Sequence, residues 1–538
     1  AHPYTWPANA LPTKFHETHL KQSPNTPFSL IEFQGGSYDP FGGYGFDQCS
    51  VLVNHEFARV FYKNNLAGGA TIVNLYMIYG GTNWGNLGHP NGYTSYDYGA
   101  SIREDRYIDR EKYSEVKLEA QFSRVSPGYL VADPGPLSNT EYSDNAGISI
   151  TPVLAPKGKN GNFFVARHAD YQSTESASYS LKLPTSNGVL TIPQHGGKLT
   201  LSGRDSKVHV TDYPVGKHTL LYSTGEIFTW QQFDDKSVLV LYGGSGELHE
   251  FAVKNPFKVD KVEGQAVSFK KSADDGTVIV QWTAKSERQV LQIDDLTVYM
   301  LDRNSAYNYW VPVLPGGKDG PAYGSSAMNP KSVIINGGYF IRSVDVRGST
   351  LAIQADFNKT TTLEIIGAPK KTTKLTINGQ TFDYTTSKLG NWIARPSMTV
   401  PNLDLPNLHD LDWHGIDSVP ELNSDYDDSK WQPANQNTTN NPMANPLLTP
   451  VSLYGSDYGF NTGTLVFRGY FVSSGKESSL QIRTQGGLAF GSSVWVGNNF
   501  LGSVKGNPDN DDANSTYPIR SLVKGHTYVL TVLVDNMG

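Results

Sequence analysis

One carboxylate in an apolar stretch near the start of the sequence is a candidate for chemistry. Glu32 lies between Ile31 and Phe33, and Gly35 and Gly36 follow shortly after. A charged side chain in an apolar setting is desolvated, so it needs a partner or a chemical task. Considered without the other motifs, Glu32 is more typical of a structural carboxylate at the end of a strand. Catalysis by a carboxylate normally uses a second carboxylate as well, and a candidate for it is hard to find downstream of Glu32.

Two loops rich in aromatic and polar side chains follow the next apolar stretch. They contain Tyr76, Tyr79, Asn83 and Trp84, and then Tyr96, Asp97 and Tyr98. In a β/α barrel, groups that follow the strands gather at one end and form the active site. Tyrosine rings suit a sugar, which has apolar faces and hydroxyl edges. A packed tyrosine cluster is the alternative, and the neighbouring Glu32 favours a site.

The elements that must position these residues alternate between strands and helices. The patterns predict a strand over 28–33, a helix over 49–63, a strand over 70–79 and a helix over about 107–126. This order is typical of two consecutive β-α units of a parallel sheet or barrel. From about residue 129 onward, short alternating runs with Gly-containing turns predict only β-structure.

Length and composition predict several domains. At 538 residues the chain is too long for a single core. Changes in composition predict a first domain over 1–128, all-β structure over 129–312, a small β-sandwich over 313–400, a linker with the start of a further β-domain over 401–427, and a last β-domain over 428–538.

Several classes of function are disfavoured by the sequence. No stretch approaches the roughly 20 apolar residues of a membrane span, and no Lys/Arg stripe indicates nucleic-acid binding. The sequence His55-Glu56-Phe-Ala-Arg59 resembles a helical zinc motif, but an arginine occupies the second ligand position, and arginine cannot ligate zinc. We therefore expect no metal, no cofactor, no membrane and no nucleic acid.

These motifs together resemble one enzyme family. Residues 31–36 (IEFQGG), 79–85 (YGGTNWG) and 94–98 (TSYDY) are similar, in order, to the last part of the catalytic barrel of glycoside hydrolase family 35. The resemblance is strongest to the large secreted β-galactosidases of filamentous fungi. Looser landmarks at 425–431, 494–502 and 533–538 resemble the first of their jelly rolls. The implied fold is multidomain α/β plus all-β: the C-terminal part of a (β/α)8 TIM barrel, several antiparallel β-domains and a truncated jelly roll.

The resemblance implies roles for individual residues. In a retaining glycosidase one carboxylate attacks the anomeric carbon and a second, roughly 5–5.5 Å away, protonates the leaving oxygen. Glu32 matches the family's nucleophile. Tyr76 and Tyr98 match tyrosines that line the galactose subsite, and Tyr38 is expected near the leaving group.

The sequence also departs from the family. No Asn-Glu segment that would supply the acid/base is present, which implies a fragment that lacks the N-terminal part of the barrel. The last residues, Asn536-Met-Gly, lie where the family's jelly roll should continue, which implies that the C-terminal end is missing as well. Cys49, the only cysteine, is a disulfide candidate whose partner lies outside this chain. We expect the missing barrel segment of the same enzyme to be a partner of this chain.

The expected activity is retaining hydrolysis of terminal non-reducing β-D-galactosyl bonds, as in lactose, with this chain inactive on its own. A lectin-like galactoside-binding role and transgalactosylation remain alternatives. The resemblance implies a secreted, extracellular protein, in which Asn358, Asn437 and Asn514 are glycosylation candidates because each begins an Asn-X-Ser/Thr sequon.

Overall fold

A computed structural model gives the fold for most of the chain. It describes residues 5–39, 44–84, 94–156, 161–272, 275–315, 330–397, 404–441, 447–460, 463–486, 490–506 and 512–536. Four regions follow one another along the chain. The first mixes helices and parallel strands, and the other three are built from β-sheets that are mostly antiparallel.

The first region contains five α-helices and four short strands among the described residues. The helices are α1 (Phe15–Gln22), α2 (Phe46–Cys49), α3 (His55–Phe57), α4 (Lys63–Ala67) and α5 (Glu111–Arg124), and the strands are β1 (Ser29–Gln34), β2 (Ile72–Tyr76), β3 (Gly81–Thr82) and β4 (Ser95–Tyr96). Strands β1 and β2 pair in parallel, and β3 and β4 pair antiparallel. The predicted strand–helix–strand–helix order is confirmed.

The helix predicted over 49–63 is not a single helix. Between α2 and α4 the backbone passes through a 3₁₀ turn at Ser50–Val53, through α3, and through a π-helical turn at Ala58–Tyr62. Asn54 explains the interruption, because its extended backbone ends the first turn and its side chain accepts hydrogen bonds from the two N–H groups that begin the next one. The periodicity of the apolar residues survives this break, which is why the sequence alone suggested one helix.

The second region consists of two large sheets and two small two-stranded sheets. The eight-stranded sheet contains, in order across it, Val267–Lys271, Val278–Thr283, Leu248–Val253, His218–Ser223, Ser206–Val215, Asn162–His168, Ile148–Leu154 and Asp133–Pro134. The five-stranded sheet contains Glu226–Gln232, Ser237–Gly243, Leu296–Asp302, Gln289–Ile293 and Val259–Glu263. Leu181–Thr185 and Gly188–Ile192 form a hairpin, and the flanking strands Ser176–Tyr179 and Leu199–Ser202 pair antiparallel with each other. A short helix, α6 (Arg303–Ala306), follows.

The third region packs two smaller sheets around one apolar core. Its five-stranded sheet contains Tyr309–Trp310, Ile334–Asn336, Leu363–Ile366, Trp392–Ala394 and Thr385–Thr386. Its four-stranded sheet contains Phe340–Arg347, Thr350–Asp356, Lys374–Ile377 and Gln380–Phe382. The Asn378-Gly379 pair forms a tight hairpin turn with positive φ at both residues, as this dipeptide predicts.

The fourth region begins with irregular chain and ends in two sheets. Between 404 and 460 the described residues form only three 3₁₀ turns, at Leu408–Asp410, Pro420–Leu422 and Gly455–Tyr458. A four-stranded sheet then contains Gly463–Val472, Thr527–Asn536, Phe490–Val496 and Asn499–Lys505, and a two-stranded sheet contains Ser479–Gln485 and Asp512–Pro518. Most side chains of these strands are only partly buried.

A buried network of charges joins the first region to the second. Glu115 on α5 accepts hydrogen bonds from Arg59 at 2.8 Å and from the Tyr307 hydroxyl at 2.6 Å, and it lies 3.1 Å from the guanidinium of Arg303. On the same side, the ammonium of Lys63 contacts a carboxylate oxygen of Glu226 at 2.6 Å. We call this whole network the seam; it includes Glu115, Arg59, Tyr307, Arg303, Lys63 and Glu226. Its charges are desolvated, and each lies within reach of an opposite charge.

Candidate functional site

Glu32 lies at a bulge in β1. Leu30 pairs with Val73 and Phe33 pairs with Leu75, so Ile31 and Glu32 together face the single residue Asn74. The Asn74 amide donates to the Ile31 carbonyl at 3.0 Å and holds the bulge in place. Bulges re-aim a side chain and are frequent next to active sites.

We expected Glu32 to be desolvated, and this expectation is wrong: none of the described residues covers its side chain. Glu32 is exposed, and Ile31 beside it is 80% exposed. On the partner strand, Ile72 is 54% exposed. The sequence suggested burial because the residues are apolar, but in the described residues only two strands form this parallel sheet, and its side chains remain open to solvent. We call this open face, formed by β1 and β2, the site edge.

The two tyrosines predicted to line the site come together beside the site edge. The rings of Tyr76 and Tyr98 are 5.5 Å apart in an edge-to-face arrangement. Tyr96, whose ring is 5.1 Å from that of Tyr98, places its hydroxyl 3.1 Å from the hydroxyl of Tyr76. Burial raises the pKa of Tyr98, and the neighbouring Tyr76 and the charge of Glu32 raise it further. The carboxylate of Glu32 is therefore close enough to Tyr98 to act on it electrostatically.

Asp97 anchors the loop that carries Tyr96 and Tyr98. Its carboxylate accepts hydrogen bonds from the backbone N–H groups of Gly99 at 3.1 Å and Glu104 at 3.0 Å, and from the Arg110 guanidinium at 2.5 Å. Burial alone would raise the pKa of Asp97, but these donors outweigh it and lower the pKa. Asp97 is therefore a structural anion that fixes the loop, and it is not free to serve as a proton donor.

Backbone contacts lock the segments after β1, after β2 and after Tyr98 to one another. The Gly35 N–H donates to the Tyr76 carbonyl at 2.9 Å, and the Ser37 N–H donates to the Tyr98 carbonyl at 2.7 Å. Gly36 allows this approach, because a Cβ at that position would collide with the Tyr98 side chain. The Gln-Gly-Gly sequence after Glu32 thus serves close packing against the tyrosine loop.

Tyr38 and Cys49 flank the cluster. Tyr38 is partly exposed, and burial followed by the charge of Asp39 raises the pKa of its hydroxyl. Cys49 is a buried free thiol whose Sγ lies 3.4 Å from Asp39, and burial raises its pKa to about 11. The predicted pairing of Cys49 with a cysteine outside the chain stays a prediction.

The remaining predicted site residues lie further out. Tyr79 is exposed, and Trp84 is 87% exposed, so in the described residues neither is packed into the tyrosine cluster. The side chains of the three sequon residues, Asn358, Asn437 and Asn514, are exposed.

The described residues offer neither a cluster of metal ligands nor a helix suited to spanning a membrane. They contain no group of three or more His, Cys, Asp or Glu side chains arranged to hold a metal ion. Over the same residues, no helix combines the length and apolar character that crossing a membrane requires.

Comparison with protein families assigns each region. Residues 4–122 match the family described as "Glycosyl hydrolases family 35", and residues 131–309 and 310–393 match "Beta-galactosidase, domain 2" and "Beta-galactosidase, domain 3". Residues 426–538 match "Beta-galactosidase second all-beta domain". In these four segments the chain is similar to family 35 glycosyl hydrolases and to β-galactosidases.

Individual relatives agree with this assignment. The chain is 51% identical over 538 residues to "Beta-galactosidase A" of Penicillium sp and to "Beta-galactosidase A" of Aspergillus niger, and 52% identical over 537 residues to "Probable beta-galactosidase A" of Aspergillus fumigatus. Each match covers 100% of this chain and 53% of the relative. The chain thus spans about half the length of the relatives it matches.

Sequence reasoning missed three features of the site. The bulge at Ile31 and Glu32, the hydroxyl contact of Tyr96 and the buried Lys112 depend on how β1, β2 and α5 are arranged in space. The Gly-Gly pair after Glu32 was the one local signal of close packing. Lys112 had no such signal, because a lysine in the first turn of a helix normally reaches solvent.

Proposed function

We propose that this chain supplies the nucleophile and part of the galactose subsite of a retaining β-galactosidase. The observation that carries the proposal is the position of Glu32, which sits at a bulge beside the cluster of Tyr76, Tyr96 and Tyr98. The substrate would be a terminal non-reducing β-D-galactosyl group, as in lactose. The matches to β-galactosidases over all four regions support this choice of sugar.

In the proposed reaction a carboxylate oxygen of Glu32 attacks the anomeric carbon while the glycosidic oxygen leaves with a proton. The products of this first step are a galactosyl ester on Glu32 and a free alcohol. Water then attacks the same carbon and gives its proton to the carboxylate that supplied one in the first step, while the ester bond breaks and Glu32 leaves as a carboxylate. The configuration is retained. Tyr76 and Tyr98 offer hydroxyls and ring edges to the sugar, and Tyr38 lies toward the leaving group.

The proton must come from a second carboxylic acid. The acids around the tyrosine cluster are engaged elsewhere, since Asp97 binds Arg110, Asp39 binds the Gly45 N–H, and Glu104 accepts from the hydroxyls of Thr82 and Ser95. We propose that the acid/base belongs to a companion segment that also covers the site edge. The relatives are about twice as long as this chain and offer a source for it.

The finer architecture is part of the same proposal. We place β1, β2 and α5 in the C-terminal part of a (β/α)8 barrel, and the last six strands in a jelly roll. The protein would be secreted, with sugars on the exposed Asn358, Asn437 and Asn514, and with Cys49 paired to a cysteine of the companion segment. No cofactor takes part in the proposed reaction.

The experiment is an assay of nitrophenyl β-galactoside hydrolysis in two preparations. The first is the 538-residue chain alone, for which we expect no turnover. The second is the chain mixed or fused with the companion segment, taken as the part of the Penicillium relative that this chain does not cover, for which we expect turnover. Glu32→Gln should abolish the activity of the second preparation. Robust turnover by the chain alone, or full activity of Glu32→Gln in the second preparation, would overturn the proposal.

A further inference from the structure

Lys112, near the start of α5, is the least expected charged residue beside the candidate site. Its side chain is 2% exposed, and no carboxylate of the described residues lies within ion-pair distance of its ammonium. Its Nζ instead donates to two backbone carbonyls, that of Gly35 at 2.6 Å and that of Gly99 at 3.2 Å. A lysine is seldom buried in this way, because removing the charge from water is costly.

The two carbonyls belong to the two segments that form the site. Gly35 follows β1 three residues after Glu32, and Gly99 follows Tyr98 directly. The Ser37 N–H donates to the Tyr98 carbonyl and joins the same two segments a few ångströms away. The Lys112 amine therefore completes a bridge between the part of the chain that carries the carboxylate and the part that carries the phenol.

We propose that Lys112 is a positioning residue, which fixes Tyr98 relative to Glu32 by binding the chain after each of them. The effect on catalysis rests on the proposed function, while the bridge itself does not. Burial and the nearby Arg110 together lower the pKa of Lys112 to about 7, against the raising effect of Asp97. Charged or neutral, the amine keeps two N–H groups for the two carbonyls.

The chain offers a matched control on the same helix. Lys117 is also largely withdrawn from solvent, and burial likewise lowers its pKa to about 7. It points to the other side of α5, where it donates to the Tyr307 carbonyl at 2.6 Å and lies 3.7 Å above the ring of Trp310. A lysine that only stabilises α5 in its packing should behave like Lys117.

The first test is amide hydrogen exchange of this chain, followed by mass spectrometry, with Lys112→Met and Lys117→Met. Losing the donor leaves two buried carbonyls unpaired, which corresponds to about a tenfold rise in local opening. We expect that rise in peptides covering 33–38 and 95–101 for Lys112→Met alone. Equal exchange of these peptides in Lys112→Met and the parent chain, or the same rise in Lys117→Met, would overturn the proposal. If Lys112→Met does not fold, Lys112→Gln is examined in the same way.

The second test measures kcat and KM separately in the active preparation of chain plus companion segment. A misplaced carboxylate or phenol slows the chemical step, so Lys112→Met should lower kcat by about a hundredfold and change KM much less. Lys117→Met should keep both constants near those of the parent. An unchanged kcat for Lys112→Met would overturn the proposal. If the parent preparation shows no turnover, the proposed function fails, while the exchange result still decides the bridge.

Discussion

Helix α5 separates two surfaces of the first region that differ in burial and in the pairing of their charges. Toward the second region lies the seam, where the buried carboxylate of Glu115 pairs with the partly buried Arg59 and the buried Arg303. Toward β1 and β2 lies the site edge, where Ile31 and Ile72 face solvent beside Glu32. Each charge of the seam has an opposite charge of this chain within reach, whereas Oε2 of Glu115 and Oε2 of Glu226 have no hydrogen-bond partner among the described residues. At the site edge the hydrogen bonds between the neighbouring loops are formed, but apolar side chains of β1 and β2 are exposed to solvent.

The comparison indicates that the seam stabilises the fold, whereas the site edge positions the candidate site residues. The seam buries its charges in pairs, so removing one of them leaves an uncompensated charge. The site edge holds its residues by backbone contacts and by Lys112, so the positions of Glu32 and Tyr98 do not depend on a covered sheet face. We infer that the chain carries a largely prearranged half of the site, and the following predictions test that contrast.

The largest effect on stability is expected at the seam. Arg303→Met removes a guanidinium that lies 2.7 Å from Asp205 and 3.1 Å from Glu115, and we expect a loss of about 3–5 kcal/mol in the free energy of unfolding. Chemical denaturation of the chain measures it. Arg347→Met is the control, since its exposed pair with Asp345 contributes at most about 1 kcal/mol. Similar losses for both variants would contradict the description of the seam.

A comparison of apolar residues on the two surfaces should give the next largest effect. Leu118, on α5, is fully buried, and Leu118→Ala should cost about 2–5 kcal/mol. Ile31→Ala, on the site edge, should change the free energy of unfolding by no more than about 0.5 kcal/mol. Denaturation of the two variants in parallel provides the test. A large cost for Ile31→Ala would mean that the site edge is packed within this chain.

Glu119, on α5, lines one small cavity together with Lys63 and Glu226 and so belongs to the seam. It predicts a dependence of stability on pH. Burial raises the pKa of Glu119 well above its ordinary value of 4.5, and Glu115 and Glu226 raise it further, against the lowering effect of Lys63 and Arg59. The folded chain keeps a proton that the unfolded chain releases, so this contribution is complete below about pH 4.5. It is lost as the pH rises toward the folded pKa, by at most about 1.4 kcal/mol per pH unit.

Glu119→Gln isolates this contribution from the rest of the seam. Other seam acids act in the opposite direction: the pKa of Glu115 is lowered, because Arg303 and Arg59 outweigh the effect of burial, so its contribution is lost as the pH falls. The difference in unfolding free energy between Glu119→Gln and the parent should therefore shift in favour of the variant as the pH rises from about 4.5. A difference that is constant between pH 4 and 8 would contradict the assignment.

The smallest effect on stability is expected at Glu32 itself. Its side chain is exposed, and it forms no ion pair with the described residues. Glu32→Gln should therefore change the free energy of unfolding by no more than about 0.5 kcal/mol. Thermal and chemical denaturation would reveal any larger change. A marked stabilisation or destabilisation would indicate a structural partner for the carboxylate.

The sequence predicted the order of helices and strands better than it predicted which of their side chains are covered. Alternation of apolar residues was sufficient to place β1, β2 and α5 and the β-structure that follows, because periodicity records which side of an element is apolar. It could not distinguish an apolar side chain that is covered from one that is not, so Glu32 was wrongly expected to be desolvated. Motifs identified Glu32, Tyr76 and Tyr98, which the structure brings together.

Long-range features of the site were beyond the sequence. Lys112 binds carbonyls 77 and 13 residues away along the chain, and its burial depends on how α5 packs against both loops. The break in the helix between α2 and α4 depends on the side chain of Asn54, whose capping role competes with an otherwise continuous apolar pattern.

The central claim is that Glu32 forms a covalent bond to galactose, and trapping that bond tests it most directly. A 2-deoxy-2-fluoro-β-galactoside with a dinitrophenyl leaving group slows the second step and lets the ester accumulate. In the preparation of chain plus companion segment we predict a mass increase of one fluorogalactosyl group on the peptide that contains Glu32, and none in Glu32→Gln. Labelling of a different carboxylate, or turnover of galactosides without any label on Glu32, would contradict the account.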